Sequence, residues 1–331
     1  MKISVIVPTY NRCYLLKICL SALLRQTIAH NEYEIIVVDD CSSDDTKKYM
    51  EEEINNAANL VYIRHNINQG RVVSRNDGIK RAKGEIVIFL DNDMATTPIF
   101  VESHIRYHDN AGEKHIAVMG NVSYAPEVIN NSNFGRYMQS RYLGCRLRSE
   151  RSKIDYDNLP GQYFGAGNAS VRKEDLIEVG LFDKSFWYYG GEDEHMGYSL
   201  KRIGVRIVFC EEAKSIHYDN VSIPRFKMKF MEGGREALPI MLRKVPDYRY
   251  LTKIGWLLPI EFKDDSILLI FKKLAILSLV NSITLKRIEI YALATDKYPL
   301  AYCSFVYRLL TAGWVRQGFR SIKRGFGQIN Y

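Results

Sequence analysis

The stretch EIVIFLDNDMATTP, residues 85 to 98, is apolar enough for the centre of a sheet, yet it ends in Asp91, Asn92 and Asp93. Two carboxylates one residue apart repel unless a cation lies between them or one takes up a proton. Mg2+ or Mn2+ would resolve the conflict, because both prefer carboxylate oxygens and leave further positions for phosphate oxygens. Asp91 and Asp93 are therefore candidate ligands for an ion that bridges to a diphosphate. The plain alternative is a solvated turn, since D-x-D triplets are frequent. A second acidic run, GGEDEH, sets Glu192, Asp193 and Glu194 behind two glycines and the aromatics Trp187, Tyr188 and Tyr189. A positioned carboxylate can take a proton from a reacting hydroxyl. Acids are also favoured at a helix N-terminus by its dipole, whatever else they do.

Such acids need elements that end at a common edge. ISVIVPT, EIIVVDD, LVYIRH and EIVIFLD are short, rich in Ile and Val, and apolar on both faces, as buried parallel strands are. Helical patterns separate them: YLLKICLSALLRQ, then DDTKKYMEEEI behind capping residues, then GRVVSRNDGIKRAKG, which closes on Gly84. This alternation predicts parallel strands with crossover helices. Ligands of open sheets of this kind bind beyond the C-terminal ends of the strands. The residues standing there are PTYNR, DDCSSDD and DNDM, three polar clusters opening on one crevice. Thr97 and Pro98 are expected to open a further helix. Beyond residue 110, HIAVMGNVSY and QYFGAGNASVRK read as strands, 131 to 148 as a helix, and RSERSKIDYDNLPG as a polar loop of the kind lids use. GEDEHMGYSLKRIG reads as a helix, VRIVFC and AKSIHY close the sheet, and after His217 no strand rhythm remains.

A chain of 331 residues, 47% hydrophobic and 25% charged, can bury a core without disulfides or structural metal. Its six cysteines form no CxxC pair and read as reduced thiols. MKISVIVPTY is too short an apolar stretch for a secretory segment, so a cytoplasmic protein is expected. Of the net charge of +8, +7 falls in residues 251 to 331, where 12 Lys and Arg face 5 Asp and Glu. A basic tail on a nearly neutral body suits an anionic partner. ILLIFKKLAILSLV falls short of about 18 uninterrupted apolar residues and carries Lys272 and Lys273, which argues against a spanning helix. Over 310 to 326, Leu310, Trp314, Val315, Phe319, Ile322 and Phe326 share half of the helical wheel, while Arg316, Arg320, Lys323 and Arg324 crowd the other half. That pattern fits a helix lying in a membrane interface, or equally one packed on its own domain.

VIVPTYNR, VVDDCSSDDT, NQGRVVSRNDGI, FLDNDM, GAGNASVRK and GGEDEHMGYSLKRIG occur in this order and spacing. Together they resemble the family 2 glycosyltransferases of the GT-A fold, over about residues 2 to 220. The resemblance implies an α/β nucleotide-diphospho-sugar transferase fold in residues 1–220, with a mainly parallel central sheet flanked by helices. Residues 221–331, which it does not cover, read as a mostly helical, basic C-terminal region. It also implies a nucleotide-sugar donor, usually a UDP-sugar, bound with Mn2+ or Mg2+. Carried over by motif, Pro8, Thr9, Tyr10 and Arg12 would line the nucleoside pocket and Asp40 would accept the base imide N–H. Asn68 and Arg75 would complete the base and phosphate contacts, against capping and surface charge as ordinary alternatives. Asp91, with Asn92, would lie near the ribose, Asp93 would bind the metal directly, and His217 would supply another metal ligand or simply pack. Gly167 and Asn168 would border the donor sugar. Asp193 would act as general base, Glu192 would hold sugar or acceptor hydroxyls, and Trp187 or Tyr189 would offer a platform to the acceptor.

The function implied is metal-dependent transfer with inversion onto a hydroxyl of a glycan or lipid-linked glycan, in bacterial surface polysaccharide or glycoconjugate synthesis, peripherally at the inner membrane face. The alternative is a non-catalytic nucleotide-sugar-binding or scaffolding protein of a glycan-assembly complex, against which the intact DND and GGED argue. A nicotinamide-dependent dehydrogenase would carry GxGxxG after the first strand, where VPTYNR stands. A nucleic-acid binder would interleave its basic residues with stacking groups, and clustering on one helix face fits lipid better.

Overall fold

The computed structural model describes residues 2–112, 114–129, 131–150 and 154–325, with the backbone alone for 148–150 and 323–325. Phe326, residues 151–153 of the polar loop, and the side chains of Lys323 and Arg324 lie outside the described residues. The chain forms two compact units, the first made of Met1–Ala125, Gln139–Trp187 and Glu192–Asp219, the second of Pro126–Met138, Tyr188–Gly191 and Asn220–Tyr331.

The first unit is built on an eight-stranded sheet. Its strands are β1 (Ile3–Thr9), β2 (Tyr33–Asp39), β3 (Leu60–Arg64), β4 (Ile86–Leu90), β5 (Met94–Thr96), β6 (Ile116–Tyr124), β7 (Asn168–Arg172) and β8 (Arg206–His217), in the order β3-β2-β1-β4-β7-β6-β8-β5. β1 to β4 are mutually parallel and β6 runs parallel to β8, while β7 is inserted antiparallel between β4 and β6. β2 is buried along its whole length, as its two-faced apolar pattern requires. Helices α1 (Cys13–Leu23), α2 (Thr46–Glu53), α3 (Arg71–Arg81) and α4 (Phe100–Asn110) are the crossovers.

Several local expectations are corrected. α4 begins at Phe100 and not at Thr97 and Pro98, because the short β5 first pairs with β8 as far as Thr96. VRIVFC and AKSIHY are one strand, β8, with an irregularity opposite Gly120 and Asn121. The helix expected over 131 to 148 is broken into Asn133–Gln139 and Leu143–Glu150. Of QYFGAGNASVRK only Asn168–Arg172 is strand.

The loops after β1 and β2 lock together. Asn11 and Cys41 take left-handed backbone conformations, φ 51° and 68°. Asn11 Oδ1 accepts the Ser43 N–H at 2.7 Å, and Ser42 Oγ accepts the Asn11 N–H at 2.9 Å. Asp44 accepts the Cys13 N–H at 2.9 Å and so caps α1 from the neighbouring loop.

In the second unit, the helix Ser304–Gly325 does not turn its apolar stripe outward. Leu310 and Trp314 are fully buried and Phe319 nearly so. Trp314 packs by Phe134 and Phe230 and donates its indole N–H to Glu289 at 3.3 Å. Gly234 lies against the Val315 backbone and Gly318 against that of Met231, so this helix sits tightly on the chain around Met231–Gly234. Of the two readings of this helix, packing on its own unit is the one that Leu310, Trp314 and Phe319 follow. Among the described residues no single helix is long and apolar enough to cross a membrane. The consecutive pair Ile267–Leu279 and Ser282–Thr295, bent by 57°, reaches that length and composition together.

Gly84 is required by a close approach: a Cβ there would lie 2.5 Å from the Ile3 carbonyl carbon. Its N–H is held by Ser4 Oγ at 2.8 Å, which itself donates to Glu34 at 2.6 Å. Gly84→Ala should cost about 1–3 kcal/mol in urea unfolding, the range for overpacking a tight interior. A loss below about 0.5 kcal/mol would show that α3 and β1 tolerate separation there.

Candidate active site

The turn between β4 and β5 carries Asp91, Asn92 and Asp93, and it sends the two acids to different partners. Asn92 is tied inward, its Nδ2 donating to Thr9 Oγ1 at 2.8 Å. This joins the ends of β4 and β1. Asp91 accepts a hydrogen bond from Arg75 Nη2 at 3.1 Å, whereas Asp93 accepts one from Arg12 Nη1 at 2.9 Å. Each acid has its own arginine, so the repulsion posed by the triplet is met within the chain.

Arg75 is the centre of the first cluster. Its side chain is 3% exposed, yet it reaches Asp91, Asp193 at 2.9 Å and Glu192 at 3.4 Å. Arg71, one turn earlier on α3, pairs with Glu192 through Nε at 2.8 Å. Glu192 and Asp193 open the helix Glu192–Arg202, whose N-terminal dipole favours them. Three carboxylates against two guanidiniums leave the cluster acidic. Burial drives the Asp193 carboxyl up to about 7, with Arg75 opposing and Glu192 and Asp91 adding to the rise. Its side chain keeps 28% of its surface exposed, so a hydroxyl can approach. Glu192 Oε2 is buried and has no hydrogen-bond partner among the described residues.

The second cluster forms where β5 pairs with β8. Register sets Met94 opposite His217, and the Tyr218 N–H donates to the Asp93 carbonyl at 2.8 Å. Ligand atoms of Asp93, His217 and Asp219 consequently lie within 4.8 Å of one another. Arg12 spans the two acids, at 2.9 Å from Asp93 and 3.2 Å from Asp219. His217 Nε2 stands 3.1 Å from Asp93 Oδ1, but this buried oxygen receives no hydrogen bond. The imidazole is held from behind: Tyr142 Oη lies 2.8 Å from Nδ1, and the Tyr124 ring stacks on it at 5.0 Å. An orphaned carboxylate oxygen, a second carboxylate and an oriented imidazole are a donor set that fits Mn2+ or Mg2+, with the imidazole favouring Mn2+. Asp91 is not in this group. Asp219 was missed in the sequence, although its spacing of two residues from His217 at a strand end could have found it. The ligand atoms of His115, Glu174 and Asp175 also lie within 4.8 Å of one another, but there Lys114 holds Glu174 at 2.9 Å and His115 holds Asp175 at 2.6 Å.

The remaining candidates divide. Asp40 accepts the N–H groups of Gln69 and Gly70, both at 2.7 Å, and lies 2.8 Å from His65 Nδ1. It thus fixes the loop ahead of α3. Trp187 packs on Gly70, where a Cβ would come within 3.4 Å of the ring. Tyr10 and Asn68 are exposed, Pro8 is half-buried and Thr9 buried. Gly167 leaves room for Asp91, whose Oδ2 would be 3.0 Å from a Cβ there. Asn168 does not reach the strand-end surface. It is buried, donates to Ala213 O and Ser215 Oγ, and meets His104 Nε2 at 3.1 Å, bonding β7 to β8 and α4. Tyr189 belongs to the second unit, where Lys229 Nζ stands 5.1 Å from its ring centre.

Arg75→Met should destabilise the chain by about 3 kcal/mol, the low end for removing one partner of a buried ion pair, since two of the three acids keep some solvent. Urea unfolding measures it, and a loss under about 1 kcal/mol would mean that the acids separate freely once the cation is gone.

The model of glycosyl transferase family 2 matches residues 4–180, and that of the N-terminal domain of galactosyltransferase matches residues 145–224. The hyaluronan synthase of Pasteurella multocida is 31% identical over 286 residues, which is 78% of this chain and 28% of that protein. The chain spans about a third or less of the length of such synthases. A mannosyltransferase from Pyrobaculum calidifontis, solved with GDP-Man and Mn2+, superposes with a TM-score of 0.61 at 15% identity, covering 98% of this chain and 88% of that one. S. aureus TarS 1-349, solved with UDP-GlcNAc, gives 0.52 at 18% identity, covering 98% and 92%. These neighbours share the GT-A fold. With its model matched over more than half of the sequence, the chain belongs to glycosyl transferase family 2.

Proposed function

We propose that the chain is a metal-dependent, inverting glycosyltransferase that moves a sugar from a nucleotide-diphosphate donor, a UDP-sugar first among them, to a hydroxyl of a glycan or lipid-linked glycan. The observation that carries this reading is Asp193: a carboxylate raised to about 7, open to solvent at one edge, and tied through Arg75 to Asp91. Such a group is matched to take a proton from a hydroxyl near neutral pH. As the acceptor oxygen bonds to the anomeric carbon, Asp193 receives its proton and the diphosphate departs with the electron pair of the broken C–O bond. Glu192, with an unpartnered buried oxygen, accepts from a sugar hydroxyl, and Trp187 offers its face to the acceptor. Pro8, Thr9, Tyr10, Asp40 and Asn68 border the nucleoside. Arg12 and Arg75 serve the phosphates, and Asp91, Asn92 and Gly167 shape the donor side. Asp93, His217 and Asp219 would hold the Mn2+ or Mg2+ ion, which when bound would offset the charge of the leaving diphosphate.

The neighbours solved with GDP-Man or UDP-GlcNAc support a nucleotide-sugar donor, and the synthase relative supports a bacterial polysaccharide acceptor. The +7 carried by residues 251 to 331 supports work at the inner face of an anionic membrane.

A screen of UDP-, GDP- and dTDP-sugars for hydrolysis tests the donor. Turnover should need divalent metal, and Asp219→Asn should weaken Mn2+ binding about tenfold or more. Undiminished hydrolysis in chelator would remove the metal from the reading. Asp193→Asn should keep donor affinity within a few-fold and lose transfer by about 10²-fold or more. The wild-type rate should fall as pH drops through about 7, because only ionised Asp193 accepts a proton. An acidic limb near about 4, the ordinary aspartate range, would displace Asp193 from this role.

A further inference from the structure

The helix Ile267–Leu279 turns an apolar face outward. At about 100° per residue, Ile267, Leu268, Phe271, Leu274 and Ala275 fall within about 120° of the wheel, and this is the exposed side: Ile267 is 75% exposed, Phe271 65%, Leu268 64% and Leu274 51%. The buried side carries Lys273, 3% exposed, whose ammonium donates to Asp265 at 2.6 Å and to the Pro259 carbonyl at 2.9 Å. A helix facing water places its apolar side chains inward and its lysines outward, whereas this one leaves an apolar face outward and buries one of its two lysines, with Leu269, Ile270, Ile276 and Leu277 half-buried. The helix that follows, Ser282–Thr295, leaves Ile283, Ile290, Tyr291 and Leu293 exposed, with Lys286 and Arg287 exposed among them. Lys272 is exposed at the margin of the first face, its Nζ 5.4 Å from the Trp256 ring centre.

The geometry points to this outward apolar face as the surface by which the second unit lies in the headgroup region of an anionic bilayer. It replaces the helix Ser304–Gly325, where Leu310, Trp314 and Phe319 are covered, as the membrane contact, and it rests on the reading that the chain works at a membrane. Charge selects the occupant. An isologous contact with a second copy would bring two regions of net +7 together, whereas an anionic leaflet complements them. The first helix alone is too short to span: it has 13 residues, about 20 Å, against a hydrocarbon core of about 30 Å, and only together with its bent successor does it reach that length. Lys286, Arg287 and Glu289 also interrupt its successor. Interfacial binding by an apolar face flanked by cations is the mode that remains.

The test is sedimentation of the full chain with phosphatidylcholine vesicles, with and without one-quarter phosphatidylserine. The wild type should pellet with the anionic vesicles and be released by alkaline carbonate. Ile267→Ser/Phe271→Ser/Leu274→Ser, on exposed positions and checked by circular dichroism and donor hydrolysis, should bind at least about tenfold more weakly. Lys272→Glu/Lys286→Glu/Arg287→Glu should lose the preference for anionic vesicles. If the wild type stays in the supernatant, both the face and the membrane reading fail. If the wild type pellets and the triple serine variant pellets equally, the face alone fails. Resistance to alkaline carbonate, or a lipid-free dimer that the serine variant converts to monomer, would overturn the proposal in favour of a span or of a second copy.

Discussion

The site depends on one buried guanidinium. Arg75 projects from α3 into a space where Asp91 arrives from the end of β4, and Glu192 and Asp193 from the start of a helix more than a hundred residues later. Three carboxylates gathered there without a cation would repel, protonate or separate. With Arg75 and Arg71 present they stay together and remain one charge in excess, and the same burial lifts Asp193 into the range of a useful base. Structural and chemical demands thus converge on one residue, which sets the distance between the turn after β4 and the proposed base.

Asp91 and Asp93 divide the labour of the DND turn. In a strand, residues two apart would share a face, but β4 ends at Leu90 and β5 begins at Met94, so the intervening residues turn and the side chains diverge. One faces the cluster of Arg75 and the other the group of His217 and Asp219. Arg12 meets both acids of that second group, so it too is partly neutralised within the chain and keeps one negative charge in excess.

Much of this was legible in the sequence, because parallel strands buried on both faces leave a strong apolar signature and their ends are the sites of function in such sheets. PTYNR, DDCSSDD and DNDM all stand where that rule puts them. The partners of those acids were not legible, since they depend on contacts distant in sequence. Asp219 joins Asp93 only through the register of β5 on β8, and Asp91 meets Asp193 only through a side chain on α3. Asn168 looked like a site residue from its motif, yet the antiparallel insertion of β7 turns it into the sheet to bond β8. A helical wheel likewise records where apolar residues lie and not whether something covers them. Trp314 is covered by its own unit, while Phe271, in a segment the sequence offered only as a rejected span, is not.

The central claim, that the two acidic clusters at these strand ends form one donor site, is tested most directly by a crystal of the chain soaked with Mn2+ and UDP and examined by anomalous scattering from manganese. A single strong peak within coordinating reach of Asp93, His217 and Asp219, with the diphosphate beside it and Asp193 facing the open end of the cleft, is the result this account requires. Manganese at His115, Glu174 and Asp175 instead, or a nucleotide bound away from the strand ends, would contradict it.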